Sequence, residues 1–190
     1  MTFKVYIPAR FASTRLPGKA LADLAGKPLL QHVHERALES GASEVVVATD
    51  DARIAEVARR FGATVCMTAA THESGTERLA EATRLREEDD AAIVVNLQGD
   101  EPFMPAAVIE QVAASLEERP TLEMATVCEP LHSITEWRDP NVVKVVRDAA
   151  DRALYFSRAP IPHPRDGDAG VPDGVGVLGR QDVDAAAGIH

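Results

Sequence analysis

Phe3-Lys4-Val5-Tyr6-Ile7 runs directly into Pro8-Ala9-Arg10-Phe11-Ala12-Ser13-Thr14-Arg15-Leu16-Pro17-Gly18-Lys19. The first five residues are β-branched or aromatic at most positions, which fits a pleated, buried strand. The residues after it form a loop that gathers three cations, Ser13 and Gly18. In an open α/β sheet the loop leaving a strand's carboxyl end is where ligands bind. Arg10, Arg15 and Lys19 there favour a polyanion, and a nucleoside triphosphate is a common small one. A solvated surface cluster is the competing reading. Against it stand the acid background, a formal charge of -10, and Pro17-Gly18, a tight turn that exposes backbone N–H groups to phosphate oxygens.

Working outward, strands and helices alternate. The spacing predicts a helix over 28–40, with Leu30, Val33, Ala37 and Leu38 on its apolar side and Gly41 as its stop. Residues 45–49 read as a buried parallel strand. Asp50 and Asp51 are expected to cap a helix reaching Phe61. A short strand over 64–67, a charged helix over 76–87, an apolar strand over 91–97 and a helix over 105–118 follow. This order predicts an α/β fold, a doubly wound, Rossmann-like and mostly parallel sheet with helices on both faces. Past residue 120 the pattern becomes a smaller α+β hairpin region: strands over 122–128 and 142–147, a turn at 148–151 and a return over 153–156. The expected organisation is one domain over 1–165, with 120–165 as its hairpin part, and a tail over 166–190 of loop or disorder.

Composition narrows the function. An apolar share of 45% and a charged share of 26% are those of a water-soluble globular chain. No apolar run approaches the roughly 18 residues that span a bilayer, and no secretory leader is evident. Cys66 and Cys128 read as buried reduced thiols, consistent with a cytoplasmic protein. The acidic balance excludes a broad nucleic-acid-binding face.

Two further segments carry chemistry. Asn96-Leu97-Gln98-Gly99-Asp100-Glu101-Pro102 ends an apolar strand in an amide, a glycine and two carboxylates. Asp100 beside a triphosphate loop is placed to hold Mg²⁺, which takes one or two carboxylates plus phosphate oxygens; the plainer reading is a turn cap. In His72-Glu73-Ser74-Gly75-Thr76-Glu77-Arg78, Ser74 or Thr76 can cap the next helix. Gly75 permits close approach to a ligand, and Arg78 is a candidate for base or ribose contact. Trp137 reads as packing.

The segments Ile7–Lys19, Ser74–Arg78 and Val95–Pro102, together with Ala153-Leu154-Tyr155-Phe156-Ser157-Arg158-Ala159-Pro160-Ile161-Pro162, resemble the 3-deoxy-manno-octulosonate (Kdo) cytidylyltransferases, the CMP-Kdo synthetases. The resemblance covers the chain to about residue 164. It implies a fold of the nucleotide-diphospho-sugar transferase type and transfer of a cytidylyl group from CTP to the C2 hydroxyl of Kdo. It also implies release of pyrophosphate, a role in lipopolysaccharide biosynthesis, Mg²⁺ as cofactor and a homodimer. By matching motif positions, Arg10, Ser13, Arg15, Gly18 and Lys19 would hold the triphosphate and Asp100 the Mg²⁺. Ser74, Gly75, Thr76, Arg78 and Gln98 would contact nucleoside or sugar acid. After Arg180 the sequence departs from the family, which places a sugar-acid-binding stretch and a second metal-ligating Asp there. Asp182 and Asp184 are weighed as substitutes and set aside, because ligand geometry needs ordered neighbours. The expectation is a truncated or frame-shifted copy. An inactive CTP-binding remnant and an enzyme for another sugar acid are the alternatives.

Overall fold

The computed structural model describes residues 2–12, 16–163, 175–178 and 183–187. In chain order its elements are β1 (Phe3–Ala9), a short 3-10 turn (Lys19–Leu21), β2 (Asp23–Leu24), β3 (Lys27–Pro28), α1 (Leu29–Glu39), β4 (Glu44–Thr49), α2 (Ala52–Arg60), β5 (Thr64–Met67) and α3 (Gly75–Leu85). There follow β6 (Ile93–Leu97), α4 (Ala106–Glu118), β7 (Met124–Thr126), β8 (Cys128–Pro130), α5 (Ile134–Arg138), β9 (Lys144–Arg147), β10 (Ala153–Ser157), β11 (Val175–Leu178) and β12 (Val183–Ala187). They form two compact units, the first running to Ala125 and rejoined by β12, the second beginning at Thr126.

The first unit is the expected doubly wound sheet, in the order β5-β4-β1-β6-β12-β7. β4 and β6 flank β1 in parallel, Val5 pairing with Val45 on one side and Val95 on the other. From β1 the chain moves outward through β4 to β5, then α3 carries it back to β6 on the opposite side. That reversal makes the gap between the carboxyl ends of β1 and β6 a topological switch point, where such sheets bind ligands. Alternation along the strands divides the core. Tyr6, Val46, Ala48, Cys66 and Val94 pack with Leu79 and Ala82 of α3. Alternation turns Val5, Ile7, Val47 and Leu97 to the opposite side. Each of these side chains is almost wholly buried, which contributes about 1.5–3 kcal/mol apiece for Val, Leu or Ile. In α1, Leu30, Val33 and Ala37 are buried as expected, but Leu38 is exposed.

The tail differs from expectation. Within the stretch 166–190 expected to be loop or disorder, residues 175–178 and 183–187 are strands, and β12 pairs antiparallel with β6, Asp184 opposite Asn96. The Ala-rich segment carries little strand propensity; β6 supplies an open edge, and pairing with it satisfies backbone N–H and C=O groups that propensity does not count. Asp182 lies outside the described residues.

A charge network ties β1 and β4 of the first sheet to the residues just after α3. Lys4 Nζ donates to Glu88 at 2.6 Å and the Tyr6 hydroxyl to the same carboxylate at 2.5 Å. Arg86 lies 2.6 Å from Glu44 and 3.4 Å from Glu88. Burial works against the Glu88 carboxylate, but the hydrogen bonds from Lys4 and Tyr6 outweigh it and hold its carboxyl below the usual carboxylate range.

The second unit contains a four-stranded sheet, β10-β9-β11-β8, in which the expected hairpin is the β9–β10 pair, Phe156 opposite Val145. The strand expected over 122–128 is instead β7 and β8, which belong to different sheets. Trp137 is buried with Leu131 and Val142, and its indole N–H donates to the Ile161 carbonyl at 2.9 Å. Lys144 is fully buried, its ammonium donating to the carbonyls of Asp139, Val142 and Arg158 at 2.9, 2.7 and 2.7 Å. A hydrated cation has been exchanged for three fixed backbone dipoles. Burial pulls its pKa down from the ordinary lysine value.

Both networks predict measurable behaviour. The Glu88 carboxyl binds its proton less tightly when folded than when unfolded, so its contribution is complete above the unfolded carboxylate range and fades as pH falls through its lower folded value. Urea unfolding followed by far-UV circular dichroism should show Glu88→Gln losing about 1–3 kcal/mol at pH 7. Its further loss below about pH 4.5 should be shallower than that of the unsubstituted chain; an identical acid slope would refute the assignment. Lys144→Met takes the ammonium donor from three carbonyls, that of Val142 buried and those of Asp139 and Arg158 partly so, and should destabilise the second unit by about 2–4 kcal/mol. Trp137, the sole tryptophan, reports that unit by fluorescence, and an unmoved transition would contradict this account.

Candidate active site

The switch point is built by glycine packing. An ideal Cβ on Gly99 would lie 2.8 Å from the Pro8 carbonyl oxygen, and one on Gly75 would lie 3.1 Å from the Pro8 ring. At Gly99 only hydrogen lets the loop after β6 close on the backbone at the end of β1, while at Gly75 a side chain would press on the Pro8 ring and require it to give by a few tenths of an ångström. Gly18, at φ 72°, starts the turn that swings Lys19 back toward this point. Its N–H donates to the Phe11 carbonyl at 2.9 Å.

Together these loops enclose a cavity of about 460 Å³ lined by Arg10, Lys19, Glu73, Gln98, Gly99 and Asp100, among others. Lys19 Nζ lies 2.7 Å from Asp100 Oδ2, both side chains remaining partly exposed. Arg10 Nη1 donates to the Glu73 carbonyl at 3.1 Å, which ties the first loop to the segment before α3. Gln98 Nε2 donates to Asn96 Oδ1 at 3.2 Å. The cavity is therefore lined by two cations and two acidic residues, Asp100 paired with Lys19 and Glu73 at the rim bound through its carbonyl to Arg10, around an amide and a backbone stripped of side chain. That set neutralises a phosphate chain and leaves a hard oxygen donor for a divalent cation. Among the described residues no cluster of three or more His, Cys, Asp or Glu side chains forms a metal cage. A single carboxylate completed by phosphate oxygens is the donor set Mg²⁺ accepts, so Asp100 fits the expected ion.

Other expected site residues are placed differently. Ser74 is the N-cap of α3: its hydroxyl accepts from Glu77 N–H at 3.1 Å and Glu77 reaches back, a complete capping box. Thr76 sits in the first turn of that helix. Arg78 is buried, only 3% exposed, and does not line the cavity. Its guanidinium donates to Thr68 Oγ1 at 2.5 Å and lies 3.0 Å from Asp50 Oδ1. It thus holds the strand-end loops of β4 and β5, and Asp50 is its partner rather than a cap. Asp51 does cap α2, accepting from Arg53 N–H at 2.9 Å. Ser13 and Arg15 lie outside the described residues. Cys66 is buried and Cys128 half-buried, both as free thiols; burial pushes the Cys66 thiol up.

Three contacts at the site escaped the sequence reading. The carbonyl of Glu73 carries no side-chain signature. The Asn96–Gln98 hydrogen bond ties the end of β6 to the loop that follows it. The stacking of Arg53 on Phe11, 3.3 Å from guanidinium carbon to ring centroid, joins residues 42 positions apart.

Comparison with known proteins shows the family. The family described as cytidylyltransferase matches residues 5–182. The 3-deoxy-manno-octulosonate cytidylyltransferase of Thioalkalivibrio sulfidiphilus (strain HL-EbGR7) is 63% identical over 166 residues, covering 87% of this chain and 66% of that protein. The enzyme of the same name from Marinobacter nauticus (strain ATCC 700491 / DSM 11845 / VT8) is 56% identical over 184 residues, covering 93% of this chain and 70% of its own length. This chain thus spans about two thirds of these relatives. A solved structure of CMP:2-keto-3-deoxy-manno-octonic acid synthetase in complex with CTP superimposes with a TM-score of 0.87 at 41% identity, over 98% of this chain and 74% of that one. Among the described residues no helix is long and apolar enough to cross a membrane. With its switch-point cavity, its Lys19–Asp100 pair and these relatives, the chain belongs to the cytidylyltransferase family, alongside the 3-deoxy-manno-octulosonate cytidylyltransferases.

Proposed function

We propose that this chain transfers the cytidylyl group of CTP to 3-deoxy-manno-octulosonate. The observation that carries the reading is the cavity at the switch point, where Arg10 and Lys19 stand beside Asp100. The anomeric C2 hydroxyl oxygen of the sugar acid attacks the α-phosphorus, its proton passing to solvent. The bond from α-phosphorus to the bridging oxygen breaks, and pyrophosphate leaves with that electron pair. Such a displacement asks the protein for alignment and charge neutralisation more than for covalent chemistry.

Lys19 and Arg10 lower the electrostatic cost of bringing a polyanion into the cavity and of building charge on the departing pyrophosphate. Ser13 and Arg15 carry the same role by motif position alone. Asp100 would hold Mg²⁺, which when bound neutralises phosphate charge and orients the oxygens. Gln98 and the backbone of the 74–76 turn face the nucleoside or the sugar acid. Arg78 supports the loops around them instead of touching ligand. A place in lipopolysaccharide biosynthesis, a cytoplasmic setting and a homodimeric state accompany this reading through the family resemblance.

Calorimetry with CTP and a pyrophosphate-release assay with CTP, Kdo and Mg²⁺ test it. The chain should bind CTP and release pyrophosphate only when Kdo is present. Binding without release would support a CTP-binding protein that does not turn over, and absence of binding would end both readings. Lys19→Ala should weaken CTP binding about tenfold to a hundredfold, the effect of losing a charge-assisted phosphate contact. Asp100→Asn should lower turnover at least about a hundredfold, with CTP affinity that no longer responds to Mg²⁺. Unchanged affinity in the first or unchanged metal response in the second would show the residue misassigned.

A further inference from the structure

The two cations of the cavity flank one small structural knot. Arg10 precedes Phe11 and Lys19 follows Gly18, and Phe11 and Gly18 are joined by the 2.9 Å hydrogen bond from Gly18 N–H to the Phe11 carbonyl. The Phe11 ring also fills the space beside Gly18, where an ideal Cβ would meet it at 3.0 Å. The loop is therefore closed at its base by the Phe11 backbone, with the Phe11 ring packed in the space that Gly18 leaves open.

What holds the ring comes from the next βα unit. The Arg53 guanidinium carbon lies 3.3 Å from the Phe11 ring centroid, a close cation–π stack. Arg53 is itself fixed, Nε and Nη2 donating to the two oxygens of Asp51 at 3.0 and 2.6 Å. Asp51 is anchored in turn as the N-cap of α2, with its own N–H donating to Thr49 Oγ1 at 3.2 Å. This planar, bidentate arrangement is specific to a guanidinium; a lysine could keep the charge over the ring but not both carboxylate bonds. An exposed arginine paired only with its neighbour would be surface decoration. This one reaches across to the loop that carries the phosphate cations.

We infer that Arg53, oriented by Asp51, is a positioning residue that clamps Phe11 and so fixes Arg10 and Lys19 for the phosphate chain of the nucleotide. The inference rests on the cytidylyltransferase reading. A rigid loop binds ground state and transition state alike, so the clamp acts on nucleotide affinity rather than on the chemical step.

Arg53→Ala should raise the Kd and the KM for CTP about threefold to tenfold, with kcat, the KM for Kdo and the melting temperature held. Arg53→Lys should recover part of the loss. Arg60→Ala removes the same charge from the same helix without touching Phe11 and should bind CTP as the unsubstituted chain does. The clamp itself is read by NMR: the Arg53 Nε–H resonance should show a ring-current shift that disappears in Phe11→Leu. The proposal is overturned if Arg53→Ala binds CTP normally, if Arg60→Ala loses as much, or if the loss follows a fall in melting temperature. Absence of the ring-current shift overturns it independently of any nucleotide. A chain that shows the shift but binds no CTP would refute the functional reading, and with it the clamp's purpose, while leaving the contact established.

Discussion

The carbonyl oxygen of Pro8 and the missing side chain of Gly99 define the site. With 2.8 Å available to a Cβ, any other residue at 99 would push the loop after β6 away from the end of β1. Lys19 and Asp100 would then separate, because each sits within two residues of this close approach or of the turn at Gly18. Backbone packing, which no flexible side chain can relieve, therefore sets the distance between the cations and the carboxylate. The charges follow the backbone.

Around that point the protein spends its polar groups on fixing loops. Arg78 is buried to tie together Thr68 and Asp50. Glu81 accepts from Ala69 N–H at 2.7 Å and lies 2.5 Å from His72, whose hydrogen bond holds the Glu81 carboxyl below its ordinary range. Arg10 takes the Glu73 carbonyl. Each contact fastens a loop at the carboxyl edge of the parallel sheet, so the cavity wall is held both by groups that line it, Arg10 and Glu73, and by groups behind it, Arg78 and Glu81. Preorganisation of this kind lets dipoles and charges act on a phosphate chain without rearranging at the moment of reaction.

Legibility varied with the range of the interaction. The strand at β1, the basic loop, the strand-end carboxylate at Asp100 and the glycines at 18, 75 and 99 were readable, because each expresses a local rule of propensity, charge or steric need. Arg78, one turn into α3, is by sequence a candidate for base or ribose contact. Its actual partners lie on two other loops, and nothing within its own segment announces them. Ser74 satisfied the capping pattern completely, and the cap is what it forms. Asp50 and Asp51 looked equivalent in sequence, yet one caps a helix and the other pairs with Arg78.

By itself, the sequence determined the alternation of elements, the doubly wound sheet, and which loops carry phosphate-seeking charge. Those properties follow from periodicity and residue chemistry within a dozen or so positions. Tertiary structure alone decided that an Ala-rich segment at 183–187 becomes a strand against β6, that Lys144 is buried among three carbonyls, and that Arg53 stacks on Phe11. Each depends on a partner far away in sequence whose geometry exists only once the chain is folded, where unsatisfied backbone groups and buried charges find partners that local propensity does not encode.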